Sequence, residues 1–202
     1  MAGFLLFHGA GSDRDQSTLV AVEAAVAAAH PKVVTGRVNF PYRDRPGRRP
    51  PDRAPVLLQS VRDAASAVPR GPVVLGGRSM GGRICSMAVG DEVDPLAASG
   101  LVLISYPLHP PGRPDKLRVE HFPRIAVPCL FVHGTRDAFG TPDELTEWTA
   151  TIPGPVEHVW IERGTHELRG ADAQVAAAVV RWSKANRVFT AAQAKRGARP
   201  PG

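Results

Sequence analysis

The sequence predicts an α/β protein: a three-layer sandwich whose mostly parallel central sheet of about six strands carries helices on both faces. Three observations predict it. Strand-like and helix-like segments alternate along the whole chain. The strand-like segments are short, β-branched and largely unbroken by polar residues, as strands buried on both faces are. The chain has 202 residues and 43% hydrophobic content, enough for one domain with a sizeable core.

Each element has its own signal. Strands are predicted over residues 4–7, 33–40, 73–76, 100–105, 129–132 and 157–161. Helices are predicted between them, over 17–29, 54–68, 79–90, 142–150 and 171–187. The first helix follows a polar loop and is rich in alanine and valine. Thr141-Pro142-Asp143-Glu144 has the features of a helix start: a capping threonine, a proline at the first position and acids in the first turn. In the last helix Val175, Ala178, Val179 and Trp182 recur at helical spacing, which predicts a face packed on the sheet. Residues 41–53 are rich in proline and arginine and are predicted to form a loop. The domain is expected to end at residue 188, followed by a basic, disordered tail over 189–202. No internal repeat is present.

The most informative stretch is Gly77-Arg78-Ser79-Met80-Gly81. It follows an apolar strand and opens a helix, and strand, G-x-S-x-G, helix is the pattern of a nucleophile elbow. A serine hydroxyl needs a base, and the base needs an orienting carboxylate. In this class of sheet, ligands sit beyond the carboxyl ends of the strands. Two downstream residues satisfy that rule in the expected order of serine, acid, histidine. Asp137 lies just past the strand ending at Val132-His133, and His166 just past the strand ending at Ile161. The negative charge that develops on an attacked carbonyl needs backbone donors. Met80 supplies one N–H; the other comes from the loop His8-Gly9-Ala10-Gly11-Ser12, with Ala10 first and Gly9 the alternative. Arg78, Tyr106 and His109 are placed at the substrate, the last two because Tyr106-Pro107-Leu108-His109 follows the strand after the elbow. His8 is expected to support the shape of the oxyanion loop.

Composition restricts the remaining classes. The formal net charge is +6, but residues 184–202 hold five basic residues and no acid, and residues 43–53 hold five arginines against two aspartates. The basic excess thus belongs to one loop and one tail, and no nucleic-acid motif accompanies it; no specific nucleic-acid partner is expected. The loop at 43–53 is a candidate for favouring an anionic substrate. The N-terminal apolar run is too short for a signal peptide or membrane span, and no other stretch is long enough to cross a bilayer. Two cysteines, Cys85 and Cys129, read as core residues in a reducing, cytoplasmic setting. No histidine, cysteine and carboxylate spacing resembles a metal site, and no cofactor is expected.

Taken together the motifs resemble the α/β-hydrolase superfamily, near the dienelactone-hydrolase-like group and, more narrowly, its testis-expressed-protein-like branch. The resemblance is carried by Phe7-His8-Gly9-Ala10-Gly11, by Phe40-Pro41-Tyr42, and by the elbow from Gly76 to Arg83. Tyr106-Pro107-Leu108-His109-Pro110-Pro111-Gly112, His133-Gly134-Thr135-Arg136-Asp137-Ala138-Phe139-Gly140 and Gly164-Thr165-His166 complete it. The elbow is shared across the superfamily; the Tyr106–Gly112 stretch is much more specific to the branch. The resemblance implies a compact hydrolase fold and a triad of Ser79, Asp137 and His166, without naming a substrate. Fuller members have strands ahead of the oxyanion loop, whereas this sequence starts almost at the first central strand. That departure leaves two readings, a minimal sheet or a start codon placed late. No insertion is long enough for a large lid, so an open site is expected. The activity expected is hydrolysis of a small or medium ester or thioester through an acyl-enzyme. A non-catalytic protein-interaction module of the same fold and a serine acyltransferase are the alternatives, and the oligomeric state is left open.

Overall fold

A computed structural model describes residues 1–47, 49–69 and 71–190. Six strands form one parallel sheet: β1 (Ala2–Phe7), β2 (Val33–Val38), β3 (Val73–Arg78), β4 (Gly100–Ile104), β5 (Cys129–Gly134) and β6 (Val156–Ile161). Their order is β2-β1-β3-β4-β5-β6. The chain therefore winds outward from β1 to β2, returns to the middle, and winds the other way. The reversal falls between β1 and β3, and the crevice beyond their carboxyl ends is where sheets of this kind hold ligands.

Among the described residues six α-helices accompany the sheet: α1 (Ser17–Ala29), α2 (Pro41–Asp44), α3 (Ala54–Ser66), α4 (Met80–Val89), α5 (Pro142–Thr149) and α6 (Asp172–Ala185). Strand alternation divides the core in two. Phe4 and Leu6 of β1, with Val102 and Ile104 of β4, pack against Leu19 and Val22 of α1 and Val175, Val179 and Trp182 of α6. Leu5, Phe7, Leu101 and Leu103 point the other way, onto Leu57 and Val61 of α3, Ile84 of α4 and Leu145 of α5. β4 is buried along its full length, as a central strand with helices on both sides must be.

The predicted elements are present, with ends displaced by at most two residues. β2 stops at Val38 rather than Phe40, because the Phe40 N–H leaves the ladder to donate to His8 Nε2 at 3.0 Å. Pro41 then starts α2, a short helix inside the stretch predicted as loop. Arg48, within that stretch, lies outside the described residues, as do residues 191–202 of the predicted tail. Phe189, at the start of that tail, packs edge-on against Phe4 with ring centroids 6.1 Å apart. The start of α5 carries a full capping box: Thr141 Oγ1 accepts from the Glu144 N–H at 3.3 Å, and Glu144 accepts from the Thr141 N–H at 2.8 Å. Among the described residues no helix is long and apolar enough to cross a membrane.

One buried polar pair under α4 has a measurable consequence. His121 Nε2 lies 2.8 Å from Ser86 Oγ. Burial first, and then the charges of Arg83 and Arg124, push the His121 pKa down from 6.5 to about 4. The unfolded chain takes up a proton near pH 6.5 that the folded chain refuses until about pH 4. The neutral ring's contribution is therefore complete above pH 6.5 and is lost as the pH falls toward 4, about 3 kcal/mol in all. His8, His133 and His158 are shifted the same way by burial and add to the decline. Urea midpoints should fall across this window, and His121→Gln should remove part of the slope. An unaltered slope in that variant would contradict the assignment.

Candidate active site

The elbow is forced by lack of space. Ser79 sits between β3 and α4 with φ 51° and ψ −117°, a conformation costly for a residue with a side chain. Its N–H donates to the Ile104 carbonyl at 2.8 Å, which anchors it to β4. A Cβ on Gly77 would meet the Phe7 carbonyl and stand 2.7 Å from the Gly81 carbonyl carbon. A Cβ on Gly81 would meet the same Phe7 carbonyl and stand 2.7 Å from the His8 carbonyl oxygen. The two glycines of the motif are therefore where α4 runs against the end of β1.

Two further loops converge on Ser79. The Thr135 N–H donates to the Ile161 carbonyl at 3.1 Å and the Arg136 N–H to the Gly164 carbonyl at 2.8 Å. These bonds tie the turn after β5 to the turn after β6. Gly134 permits the approach, since a Cβ there would stand 2.9 Å from the Thr165 carbonyl oxygen. The result places Asp137 and His166 in contact. His166 Nδ1 lies 2.8 Å from Asp137 Oδ2, and His166 Nε2 lies 2.9 Å from Ser79 Oγ. An ionised carboxylate only accepts, so Nδ1 carries the proton and Nε2 is free to accept from the serine hydroxyl.

The imidazole is held from several sides. Asp137 is buried and also accepts the Phe139 N–H at 2.9 Å through Oδ1. The Phe139 ring stacks on His166 with centroids 4.0 Å apart. Arg78 donates to the His166 carbonyl at 2.9 Å and to Glu167 Oε2 at 2.8 Å.

Among the described residues no other histidine is hydrogen-bonded to Ser79, although His133 Nε2 stands 3.4 Å from Asp137 Oδ2. His8 Nδ1–H donates to the Gly9 carbonyl at 2.8 Å while Nε2 accepts from Phe40, and burial lowers its pKa. His133 Nε2 donates to the Gly140 carbonyl at 2.9 Å, and burial likewise lowers its pKa. His30 and His121 each meet a serine hydroxyl, Ser183 and Ser86, but neither has a carboxylate partner among the described residues.

The loop His8–Ser12, predicted to hold the oxyanion, is braced on its carbonyl side. The Gly9 carbonyl accepts from His8 at 2.8 Å and from the Ser12 N–H at 3.3 Å. The Ala10 carbonyl accepts from the Tyr42 hydroxyl and from Arg43, both at 3.1 Å. In a trans peptide the N–H opposes the C=O, so the Ala10 N–H points away from the His8 ring. The Met80 N–H lies in the first turn of α4, where no intrahelical acceptor exists. Ala10, Met80, Ser79 and His166 all line one cavity of about 520 Å³ at the carboxyl rim of the sheet.

The residues expected at the substrate fare differently. Arg78 lines the cavity, but its terminal nitrogen is engaged by His166 and Glu167. Tyr106 does not reach the cavity. It is buried between Phe122 and Phe131, and its hydroxyl donates to the Arg118 carbonyl at 2.6 Å. His109 is also buried away from the cavity, with Nδ1 on the Pro110 carbonyl at 2.9 Å and Nε2 3.5 Å from Glu144. Chain adjacency to β4 put both on the correct rim, but the loop turns their side chains into the core.

The cavity wall is built instead from Gln16, Arg83, Pro107, Arg118, Phe139 and Glu167. Arg83 had a readable signal, since it stands four residues after Ser79 on the same helix. Arg118 had none, because no spacing fixes the path of the loop between β4 and β5. Among the described residues no group of three or more histidines, cysteines and carboxylates could hold a metal ion.

Fold and site define a class. Residues 1–192 match the alpha/beta hydrolase domain family, and the chain belongs to it. Solved structures extend the likeness in fold. Est1E from Butyrivibrio proteoclasticus superposes with a TM-score of 0.72 at 16% identity, over 92% of this chain and 88% of its own. An alpha-beta serine hydrolase homologue from Coxiella burnetii gives 0.71 at 18% identity, over 90% and 84%. A serine hydrolase without a lid from Xanthomonas campestris gives 0.70 at 16% identity, over 91% and 81%.

Proposed function

We propose that the protein is a serine hydrolase that cleaves an ester or thioester of a small or medium substrate through an acyl-enzyme. One observation carries the reading: Ser79 Oγ, the His166 ring and the buried Asp137 carboxylate form an unbroken hydrogen-bonded chain that opens into a cavity. Ser79 Oγ attacks the carbonyl carbon as its proton passes to His166 Nε2. The N–H groups of Ala10 and Met80 take the oxyanion. The tetrahedral species collapses, the C–O or C–S bond breaks, and His166 returns the proton to the leaving alcohol or thiol. Water then attacks the acyl carbonyl, His166 accepts its proton, and the second collapse gives the acid and restores the Ser79 hydroxyl. Throughout, Asp137 holds the ring with its proton on Nδ1 and stabilises the imidazolium.

Within the family we place the chain near the dienelactone-hydrolase-like group and in the testis-expressed-protein-like branch, on the Tyr106–Gly112 stretch. A cytoplasmic setting belongs to the same reading, supported by two cysteines that are buried and unpaired.

The test is a serine-reactive fluorophosphonate probe together with a panel of esters and thioesters of graded chain length. Intact protein should be labelled and should hydrolyse part of the panel. Ser79→Ala should abolish labelling and lower kcat by about 10⁴- to 10⁶-fold. A variant as active as its parent would sink the mechanism.

A further inference from the structure

Two guanidinium groups border the cavity without a counter-ion among the described residues. Arg83 lies one helical turn after Ser79, with its N–H on the Ser79 carbonyl at 3.1 Å. Helical side chains lean toward the preceding turn, which directs the Arg83 side chain toward the cavity that Ser79 lines. Arg118 enters from the loop between β4 and β5. Its carbonyl is fixed by the buried Tyr106 hydroxyl, and its guanidinium makes one long bond, 3.4 Å to the Pro107 carbonyl. Both residues line the cavity together with Ser79 and Met80.

Among the described residues no carboxylate lies within the 4.0 Å of an ion pair from either group. Arg78, on the same wall, is neutralised by Glu167 at 2.8 Å, so the lack of a partner is particular to this pair. The two charges also feel one another: burial first, and then Arg83, pull the Arg118 pKa below its ordinary value. Like charges in a partly desolvated cleft oppose folding, and an oxyanion between them would reverse the sign of the interaction. The basic loop at 43–53, the region the sequence suggested for this task, does not line the cavity among its described residues. Arg43 is bonded to the Ala10 carbonyl and Arg45 to Asp52.

We infer that Arg83 and Arg118 form an anion subsite beside Ser79, which selects substrates carrying a carboxylate or phosphate group a few bonds from the scissile carbonyl. The inference rests on Ser79 as the nucleophile for its catalytic meaning, but the subsite itself is testable by binding alone. Ser79→Ala protein should be titrated with methyl butyrate, monomethyl glutarate and methyl 4-phosphonobutyrate, three esters that differ in the group at the chain end, by ligand-observed NMR. At low salt at least one of the anionic esters should bind about tenfold or more tightly than the neutral one, and the advantage should shrink as salt is added. The stronger of the two identifies which oxyanion the subsite takes. In the Ser79→Ala/Arg83→Gln/Arg118→Gln protein the advantage should vanish, and with lysine at both positions it should return in part.

Equal binding of all three esters, or an advantage that survives removal of both arginines, would overturn the inference. Turnover separates it from the broader reading. A parent enzyme with the same kcat/KM on 4-nitrophenyl butyrate and 4-nitrophenyl hemiglutarate retains the Ser79 chemistry and lacks the subsite. A parent enzyme that hydrolyses neither, yet binds the anionic ester through Arg83 and Arg118, retains the subsite and lacks the chemistry.

Discussion

Asp137→Asn should lower kcat by about 10⁴-fold while leaving the fold intact. The direction follows from the hydrogen bonds around the carboxyl. Phe139 donates its N–H to Asp137 Oδ1 at 2.9 Å, so an asparagine turns its carbonyl oxygen toward Phe139. The amide nitrogen then occupies the place of Oδ2, 2.8 Å from His166 Nδ1. A donor in that position requires Nδ1 to accept, which moves the imidazole proton to Nε2. The ring then presents N–H to Ser79 Oγ and has no lone pair with which to take the serine proton. Stopped-flow or steady-state rates on an ester cleaved by the parent check this, with thermal unfolding as the control. A fall of less than about tenfold would show that His166 does not depend on Asp137 for its tautomer.

Gly81→Ala should be severely damaging, destabilising by about 4 kcal/mol or preventing folding. The new Cβ would strike the Phe7 carbonyl and the backbone at His8, both at the end of the central strand β1. Neither is the tip of a flexible side chain, so relief requires α4 to move away from β1. That movement would carry Ser79 and the Met80 N–H with it. Gly11→Ala is the matching control, because a Cβ there meets nothing within 4 Å. Urea unfolding of the pair should show a large loss for Gly81→Ala and little change for Gly11→Ala. Similar stabilities would mean that the glycines of the elbow are not required for close approach.

Much of this architecture was legible in the chain. β-branched apolar runs such as Val73-Val74-Leu75 marked strands because a parallel sheet buries both faces. The Thr141-Pro142-Asp143-Glu144 start was readable because capping is local chemistry, complete within four residues. The end of β2 was not readable, since the Phe40 N–H is drawn off by His8, 32 residues away. The short helix α2 escaped for a related reason: a four-residue helix has no periodicity to display.

The same division runs through the candidate site. Ser79, Asp137 and His166 could be proposed from sequence because each follows a strand, and in a parallel sheet every strand delivers its next residues to the same rim. Chain order and residue type were then sufficient to nominate a nucleophile, an acid and a base. Which side chains face the cavity was decided only by tertiary structure. Tyr106 and His109 follow β4 yet turn into the core, whereas Arg118, a dozen residues beyond Tyr106, returns to the cavity wall. Loop direction depends on packing against Phe122 and Phe131 and on the bond from the Tyr106 hydroxyl to the Arg118 carbonyl, none of which has a sequence period. The sequence by itself thus determined the sheet and nominated the rim and the residues proposed for chemistry there, because those follow from local patterns repeated strand by strand. Folding in three dimensions decided the shape and charge of the cavity, because those arise from contacts between loops that the chain keeps far apart.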